Sequence, residues 1–568
     1  MLGCYGDPHA ITPNTDAFAQ HSVRFTRAYS VAGVCAPSRS GIITGMYPTT
    51  LGSMHMRSNV KLGPDVRCFP EYLRRAGYYC TNNAKTDYNF AVPRGAWNEN
   101  GTKAHWRNRE PGQPFFAVFN QEVTHESRYP RRGAEHDADI KRLKPNQRQD
   151  PAQLTTLPPF YPDTPETRRD WANVYECLTA MDYWLQDRLK EIADAGLEND
   201  TIVFFWGDHG VGLPRSKRWL YESGTRVPLI VRVPEAWRTA GQAAPGSESA
   251  TLVSLIDLGP TVLNLASLPV PSNMHGQPFL GPKVKPREYI YGIRDRMDER
   301  YDMVRSVRDA RYRYLRNFEP TRPYYQHMNT PEQGATMREI RRTQAAGTLP
   351  AAAALFAGTH KPVEELYDVD KDPHEIHNLA QDPGHRPVLD RLRAAQRKWA
   401  LDTRDLGLMP EAELAEGELR MGTRQAMLQG PDSMRLMREL YDAATGPDGS
   451  RFFTSANPSL RYWAARRGAN LRGEDKARLA KLQSDPSAAV RIAAARRLGN
   501  VDLLAKELAN PKEYVRLMAV NALDEMGEAA RPALPALRIA LKDPENHYVV
   551  RVANHAVNTL EGTHLQVK

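Results

Sequence analysis

The stretch SVAGVCAPSRSGIITGMYP, residues 30–48, sets Cys35 before Pro37, Ser38 and Arg39. It then runs into a Gly-, Ile- and Thr-rich segment that reads as the start of a buried helix. A thiol that only fills core space needs no proline two residues on and no arginine four residues on. Taken alone, Cys35 also fits as a small buried hydrophobe. What the chain places around it decides between core and chemistry.

Working outward, apolar runs at 114–120 (PFFAVFN), 201–210 (TIVFFWGDHG) and 227–234 (VPLIVRVP) read as buried strands. Residues 167–197 repeat apolar positions at helical spacing and stop at Ala195-Gly196-Leu197. A helix followed by a fully apolar strand is the βαβ pattern of a mainly parallel sheet, so an α/β fold with flanking helices is expected. Ligands of such sheets gather at the carboxyl ends of strands, which puts Asp208 and His209 on a functional rim. From residue 269 the pattern changes. REYIYGIRD and residues 303–318 look like antiparallel strands with a tight turn at Asp309-Ala310, and residues 364–383 form a turn-rich closing segment. This gives a catalytic subdomain over 1–268 and a small antiparallel one over 269–404. Residues 405–450 are acidic and partly helical without an evident core, and are expected to be a linker.

The remaining residues, 451–568, contain a repeat. NPSLRYWAA (457–465), DPSAAVRIAAA (485–495), NPKEYVRLMAV (510–520) and DPENHYVVRVANHA (543–556) share Asp/Asn-Pro, a Val/Leu-Arg pair and a small-residue helix. Arg461, Arg491, Arg516 and Arg551 follow one another at intervals of 30, 25 and 35 residues. Asp/Asn-Pro suits a helix start, and small residues permit close stacking. The pattern predicts an α-solenoid and resembles HEAT repeats.

At 568 residues the chain exceeds one core. The net charge of +9 is mild; it gives no indication of nucleic acid and agrees with a polyanionic ligand or with plain solubility. Five cysteines show no zinc spacing, although Cys68 and Cys80 could form one bridge in an exported protein. No apolar run reaches the roughly 18 residues of a membrane span, and the opening MLGCYGDPHAITPN carries no signal peptide.

CAPSRSGIITG resembles the signature of the formylglycine-dependent sulfatases, of the alkaline-phosphatase-like superfamily: Cys-x-Pro-Ser-Arg followed by Thr-Gly. Further marks follow in family order: TPNTDAFAQHSVRFTRAY (12–29), EYLRRAGYYCTNNAKTDYN (71–89), FNQEVTHES (119–127), WGDHG to RVPLIV (206–231) and ELYDVDKDPHEIHNLA. They cover roughly residues 1–405. The resemblance implies that a maturation enzyme reads Cys-x-Pro-x-Arg and oxidises Cys35 to formylglycine. The hydrated aldehyde would attack sulfur and then expel sulfate. It implies Asp208 and His209 as ligands, together with residue 35, of a divalent cation; Ca²⁺ is more usual in the family and Mg²⁺ also suits oxygen ligands. Arg39 would anchor formylglycine and the metal carboxylates. Lys85 and Lys217 would hold sulfate oxygens, and His125 would contact sulfate and protonate the leaving group.

Two features depart from that pattern. Many sulfatases carry Lys-x-His where this chain reads Lys85-Thr86-Asp87, so Asp87 is expected to meet a substrate amine or hydroxyl or to orient Lys85. The family also opens with an apolar strand ending in Asp-Asp, and this chain starts after that point; weak or no activity is the expectation for the chain as written. The central segments resemble heparan N-sulfatase (sulfamidase) and its bacterial relatives more than arylsulfatases, implying sulfated glycans, with Arg294, Arg296 and Asp298 as candidate pocket residues. The alternatives are a phosphonate or phosphate ester hydrolase of the same superfamily, or a non-catalytic scaffold whose repeats bind a protein partner. A periplasmic or extracellular location is expected for the full-length protein.

Overall fold

The apolar runs fold as strands; those at 115–119 and 203–206 end on the rim that carries Asn120, Asp208 and His209, and the one at 226–232 runs opposite to 203–206. The computed structural model describes residues 1–155, 157–447, 449–467 and 473–567. Strand β1 (Val23–Tyr29) leads through residues 30–34 into helix α1 (Cys35–Thr44). There follow β2 (Tyr79–Asn83), β3 (Glu99–Asn100), β4 (Phe115–Phe119), helix α2 (Pro165–Asp194), β5 (Val203–Trp206), β6 (Arg226–Arg232) and β7 (Glu248–Ser254). The long helix α2 starts at a Thr164 side chain that caps the Thr167 N–H.

These strands form two sheets, ordered β3-β2-β4 and β5-β6-β1-β7. The first is wholly parallel, and β1 runs parallel to β7. β6 runs antiparallel to both β1 and β5, so three of the five pairings are parallel. A parallel neighbour needs a crossover, usually a helix. β5 and β6 are joined instead by residues 207–225, a loop that doubles back over the rim and carries functional side chains.

A third sheet is antiparallel throughout. It has the order β11-β10-β9-β8, from β8 (Ile290–Arg294), β9 (Val304–Arg308), β10 (Tyr312–Asn317) and β11 (Glu364–Asp368). The β9–β10 hairpin turns where the sequence predicts: Arg308 pairs with Arg313, and the Asp309 carboxylate accepts the Arg311 and Tyr312 N–H groups at 2.7 and 2.6 Å. Helix α3 (Arg386–Asp402) closes this part.

The expectation of a linker over 405–450 is overturned. The segment folds into helices α4 (Glu411–Met421) and α5 (Ser433–Thr445). Its Leu414, Met437 and Leu440 lie in one continuous core with Val31, Ile293 and Trp399 from the preceding parts and Trp463 and Val490 from the repeats. The acidic composition hid this because part of its charge is buried against arginines elsewhere in the chain, Asp405 on Arg305 and Glu411 on Arg296, while the apolar stripes of the helices point inward.

The repeats run through helices α6 (Pro458–Arg467), α7 (Ala488–Leu498), α8 (Glu513–Asp524) and α9 (His547–Glu561), with shorter helices between. The Asp/Asn before each proline builds a local turn: its carbonyl or carboxylate oxygen accepts the N–H two residues on, at Asn457, Asp485, Asn510 and Asp543 alike. The repeated arginine works in two directions. Arg461, Arg491 and Arg516 each donate to the carbonyl six residues back. Each also pairs with a carboxylate further along the array, Asp485, Glu507 and Asp543 respectively. Among the described residues, no helix is long and apolar enough to cross a membrane.

Candidate active site

Every rim segment contributes to one cluster. Cys35 is the first residue of α1 and is buried. Its Sγ lies 3.1 Å from His209 Nε2 and 3.9 Å from Lys85 Nζ. His125 and Lys217 are close enough to act on its charge. Burial would push the thiol up, but Lys217, His209 and His125 more than offset this and hold it well below its usual range.

Asp208 and His209 follow β5 directly, on the predicted rim. Arg39 Nε donates to Asp208 Oδ2 at 2.7 Å, and its Nη1 donates to Asn120 Oδ1 at 2.8 Å. Burial disfavours the Asp208 carboxylate, yet Arg39, His209 and Lys85 keep it ionised far below the ordinary range. His209 donates Nδ1–H to the Gly210 carbonyl at 2.7 Å. That bond leaves Nε2 of the neutral ring as the bare nitrogen, facing Cys35.

Lys217 is buried and pairs with Glu126 at 2.7 Å. Glu126 also takes both Nη atoms of Arg218, at 2.8 and 3.0 Å. Arg218 Nε in turn donates to Asp298 at 2.7 Å. The 207–225 loop fits tightly beneath: a Cβ on Gly33 would stand 2.3 Å from the Trp219 carbonyl oxygen.

The Cys35, Asp208 and His209 ligand atoms all fall within 4.8 Å of one another. A carboxylate, an imidazole nitrogen oriented by its own hydrogen bond and a group on residue 35 fit a divalent cation, with the remaining positions open to oxygen ligands. The site opens into a cavity of about 1570 Å³ lined along its flanks by β4 and β5. Both are edge strands of their sheets.

The structure therefore brings together Cys35, Arg39, Lys85, His125, Asp208, His209 and Lys217. Asp87 lies in the same loop as Lys85, and burial together with the Cys35 charge pushes its carboxyl up. The candidate pocket residues fare differently. Arg294 is fully buried, donates to the Arg218 carbonyl and pairs with Asp302. Arg296 is 1% exposed and doubly bonded to Glu411. Both are structural, not pocket-lining; an Arg/Asp-rich sequence cannot say which charges pair with each other. Asp298 is likewise buried and occupied by Arg218. Cys68 and Cys80 are both free thiols.

Sequence reasoning passed over Asn120, Glu122 and Glu126. All three follow β4 on the rim, the signal that marked Asp208. Glu122 pairs with Lys85 at 3.5 Å. A second overlooked feature is backbone conformation: Arg57, Asn59, Asp87, Asn89, Arg215, Arg218 and Asp298 all have φ between 46° and 74°, in the left-handed region. Seven such side chains in the loops around one cluster mark a rim held by its surroundings.

Comparison with known proteins agrees with this arrangement. The Sulfatase family model matches residues 1–110 and 82–268, the model for the N-sulphoglucosamine sulphohydrolase C-terminal part matches 207–331, and the HEAT repeats model matches 476–558. An ulvan-active sulfatase of Formosa agariphila is 38% identical over 72% of this chain and 74% of its own length. Human N-sulphoglucosamine sulphohydrolase is 28% identical over 71% of this chain and 88% of its own. The fold is similar to a solved protein in complex with its substrate D-glucosamine-2-N,6-O-disulfate, with a TM-score of 0.51, 17% identity, and coverage of 71% of this chain and 95% of that one. It is also similar to a glycosaminoglycan-metabolism protein of Bacteroides thetaiotaomicron, with a TM-score of 0.53, 19% identity, and coverage of 70% and 90%.

Proposed function

The chain belongs to the sulfatase family of sulfuric ester hydrolases, and from that premise we propose that it cleaves sulfate esters or sulfamates of sulfated glycans at residue 35. One observation carries this reading: Lys85, His125, His209 and Lys217 converge on the Cys35 side chain in a buried pocket. Two ammonium groups and an imidazole that can donate, beside the His209 nitrogen that can hold a cation, suit a group whose oxygens gain negative charge as its bond to the leaving group breaks.

The Cys-x-Pro-x-Arg run and the place of Cys35 at the start of α1 support its conversion to formylglycine by a maturation enzyme. The hydrated aldehyde supplies hydroxyl oxygens where the thiol has one sulfur. Asp208, His209 and an oxygen on residue 35 would hold Ca²⁺ or Mg²⁺, which supplies positive charge beside the sulfate and eases loss of a hydroxyl proton.

The chain's own side chains do the rest. Arg39 fixes Asp208 and Asn120. Glu126 fixes Lys217, so its ammonium points at the reacting position without searching for it. Lys85 approaches from the β2 side. His125, oriented by Ser127 at 2.9 Å, is placed to give a proton to the departing sugar oxygen or nitrogen. The similarity to an ulvan-active sulfatase and to N-sulphoglucosamine sulphohydrolase supports a sulfated glycan as substrate class. Such polymers are met in the periplasm or outside the cell.

The test is co-expression with a formylglycine-generating enzyme. Mass spectrometry of the residue-35 peptide should show sulfur replaced by oxygen together with the loss of two hydrogens, the change from a thiol to an aldehyde. Sulfate release is then compared for N- and O-sulfated glucosamine oligosaccharides, ulvan oligosaccharides and a nitrophenyl phosphodiester. Sulfate release from a glycan ahead of phosphodiester cleavage supports the proposal, and the reverse order overturns it.

A further inference from the structure

The repeat array does not hang away from the catalytic body. Tyr514 of α8 donates its hydroxyl to the Ser58 carbonyl at 3.3 Å. The rings of Tyr514 and of Tyr548 in α9 lie 5.9 and 5.2 Å from the Arg296 guanidinium. Arg296 in turn receives the Met56 N–H on its carbonyl at 3.0 Å. Arg57 thus lies between two anchored neighbours, with φ at 56° and its own N–H bonded to Asn89 Oδ1 at 2.7 Å.

That geometry presents the Arg57 side chain outward, and it is exposed. The charges of Asp87 and Asp298 act on its guanidinium. Asp298 is already taken by Arg218. Among the described residues Arg57 makes no ion pair, whereas its neighbours Arg218, Arg296 and Arg424 are each paired with a carboxylate. His547 is exposed beside it and senses the charges of Arg57 and Arg551. Asn89, which holds the Arg57 N–H, lies four residues after Lys85, whose Nζ is 3.9 Å from Cys35 Sγ, so one loop separates this cationic spot from the reacting residue.

We propose that Arg57, with His547 from the repeats, forms a binding subsite for a second anionic group of the substrate, a carboxylate or sulfate on the sugar beyond the one that is cleaved. The repeat domain is then a wall of the substrate cleft. A fixed guanidinium suits a planar carboxylate or a sulfate edge, and Asp87 between the two anion sites suits a sugar hydroxyl. This inference rests on the sulfated-glycan reading given above for the ligand class.

The test uses the full chain with Cys35 unconverted, so that binding is read without turnover. Calorimetry compares an N-sulfated disaccharide bearing a uronic carboxylate with N-sulfated glucosamine alone. A charge-assisted hydrogen bond lost from such a site corresponds to about a tenfold change or more in affinity. The preference for the disaccharide should fall about tenfold in Arg57→Ala, recover in part in Arg57→Lys and fall several-fold in His547→Ala. Both positions are exposed, and thermal melting confirms that the variants fold. An unchanged preference in Arg57→Ala overturns the subsite, and an unchanged preference in His547→Ala overturns the role of the repeats. If the matured protein releases no sulfate while the preference still falls with these variants, the assigned reaction fails and the subsite stands.

Discussion

Glu411 is the residue whose neutralisation should be felt furthest. It accepts Arg296 Nε at 2.6 Å, Arg296 Nη2 at 2.8 Å and the Tyr301 hydroxyl at 2.9 Å, and neither member of the ion pair is more than 1% exposed. Burial alone would push the Glu411 carboxyl up, yet Arg296 and its neighbours hold it down at about 2. At an effective dielectric of 20, charges 2.6 Å apart attract by about 6 kcal/mol, most of which offsets the cost of removing both from water. Glu411→Gln keeps the shape and one acceptor but leaves Arg296 charged and buried. The expected loss is about 3 kcal/mol, the lower end for a broken buried pair. Urea denaturation followed by tryptophan fluorescence reads it. The charge-free pair Arg296→Met with Glu411→Leu should return to within about 1 kcal/mol of the parent, so the double-mutant cycle shows strong coupling. If Glu411→Gln alone stays within about 1 kcal/mol, the reasoning about this pair is refuted.

Three further outcomes follow from the same geometry. Trp463→Ala removes a buried indole whose N–H reaches the Leu408 carbonyl at 2.8 Å, and should cost about 3–5 kcal/mol in the same denaturation assay; separate melting of repeats and body at unchanged midpoints contradicts the shared core. Gly33→Ala forces a methyl against the Trp219 carbonyl and should shift the Lys217 loop, lowering kcat on a sulfated substrate by tenfold or more alongside a stability loss of about 1–3 kcal/mol; full activity would show that the loop is not so constrained. His275 is held down at about 4 by burial and by Arg287. The unfolded chain therefore takes up its proton first, and the stability His275 gives above pH 6.5 is lost as pH falls towards 4, by roughly 3 kcal/mol at most. His275→Asn keeps an acceptor for the Tyr47 N–H and should flatten the fall in melting temperature between pH 6.5 and 4.5; equal slopes in the two proteins exclude this account.

What the sequence made legible was whatever depends on local pattern. The strands at 115–119 and 203–206 are continuous apolar runs, so Asp208 and His209 could be placed on a rim before any coordinates. The hairpin at Asp309 and the repeated Asp/Asn-Pro turns are set by side chains bonding to their own backbone. Long-range pairing was not legible. Nothing in GIRDRMDERYD shows that Arg296 meets Glu411 across 115 residues, or that Arg294 lies under Trp219 with its guanidinium 3.9 Å from the ring. The 405–450 segment hides its role for the same reason: the partners of its apolar residues come from three other parts of the chain. Asn120 and Glu126 were within reach of the rim rule and needed only its application to β4.

The left-handed backbone at Arg57 has one more consequence. A side chain there costs about 1–2 kcal/mol relative to ordinary backbone, and glycine would remove that cost at an entropic penalty of about 0.5–1 kcal/mol. Arg215 and Arg218, in the same conformation, are buried among partners that glycine would forfeit, whereas Arg57 forms no ion pair among the described residues. Fold and ligand therefore want different residues at this one position. A selection for heat resistance alone would drift towards glycine there, and its survivors would be sturdier proteins with a blunted grip on charged sugars.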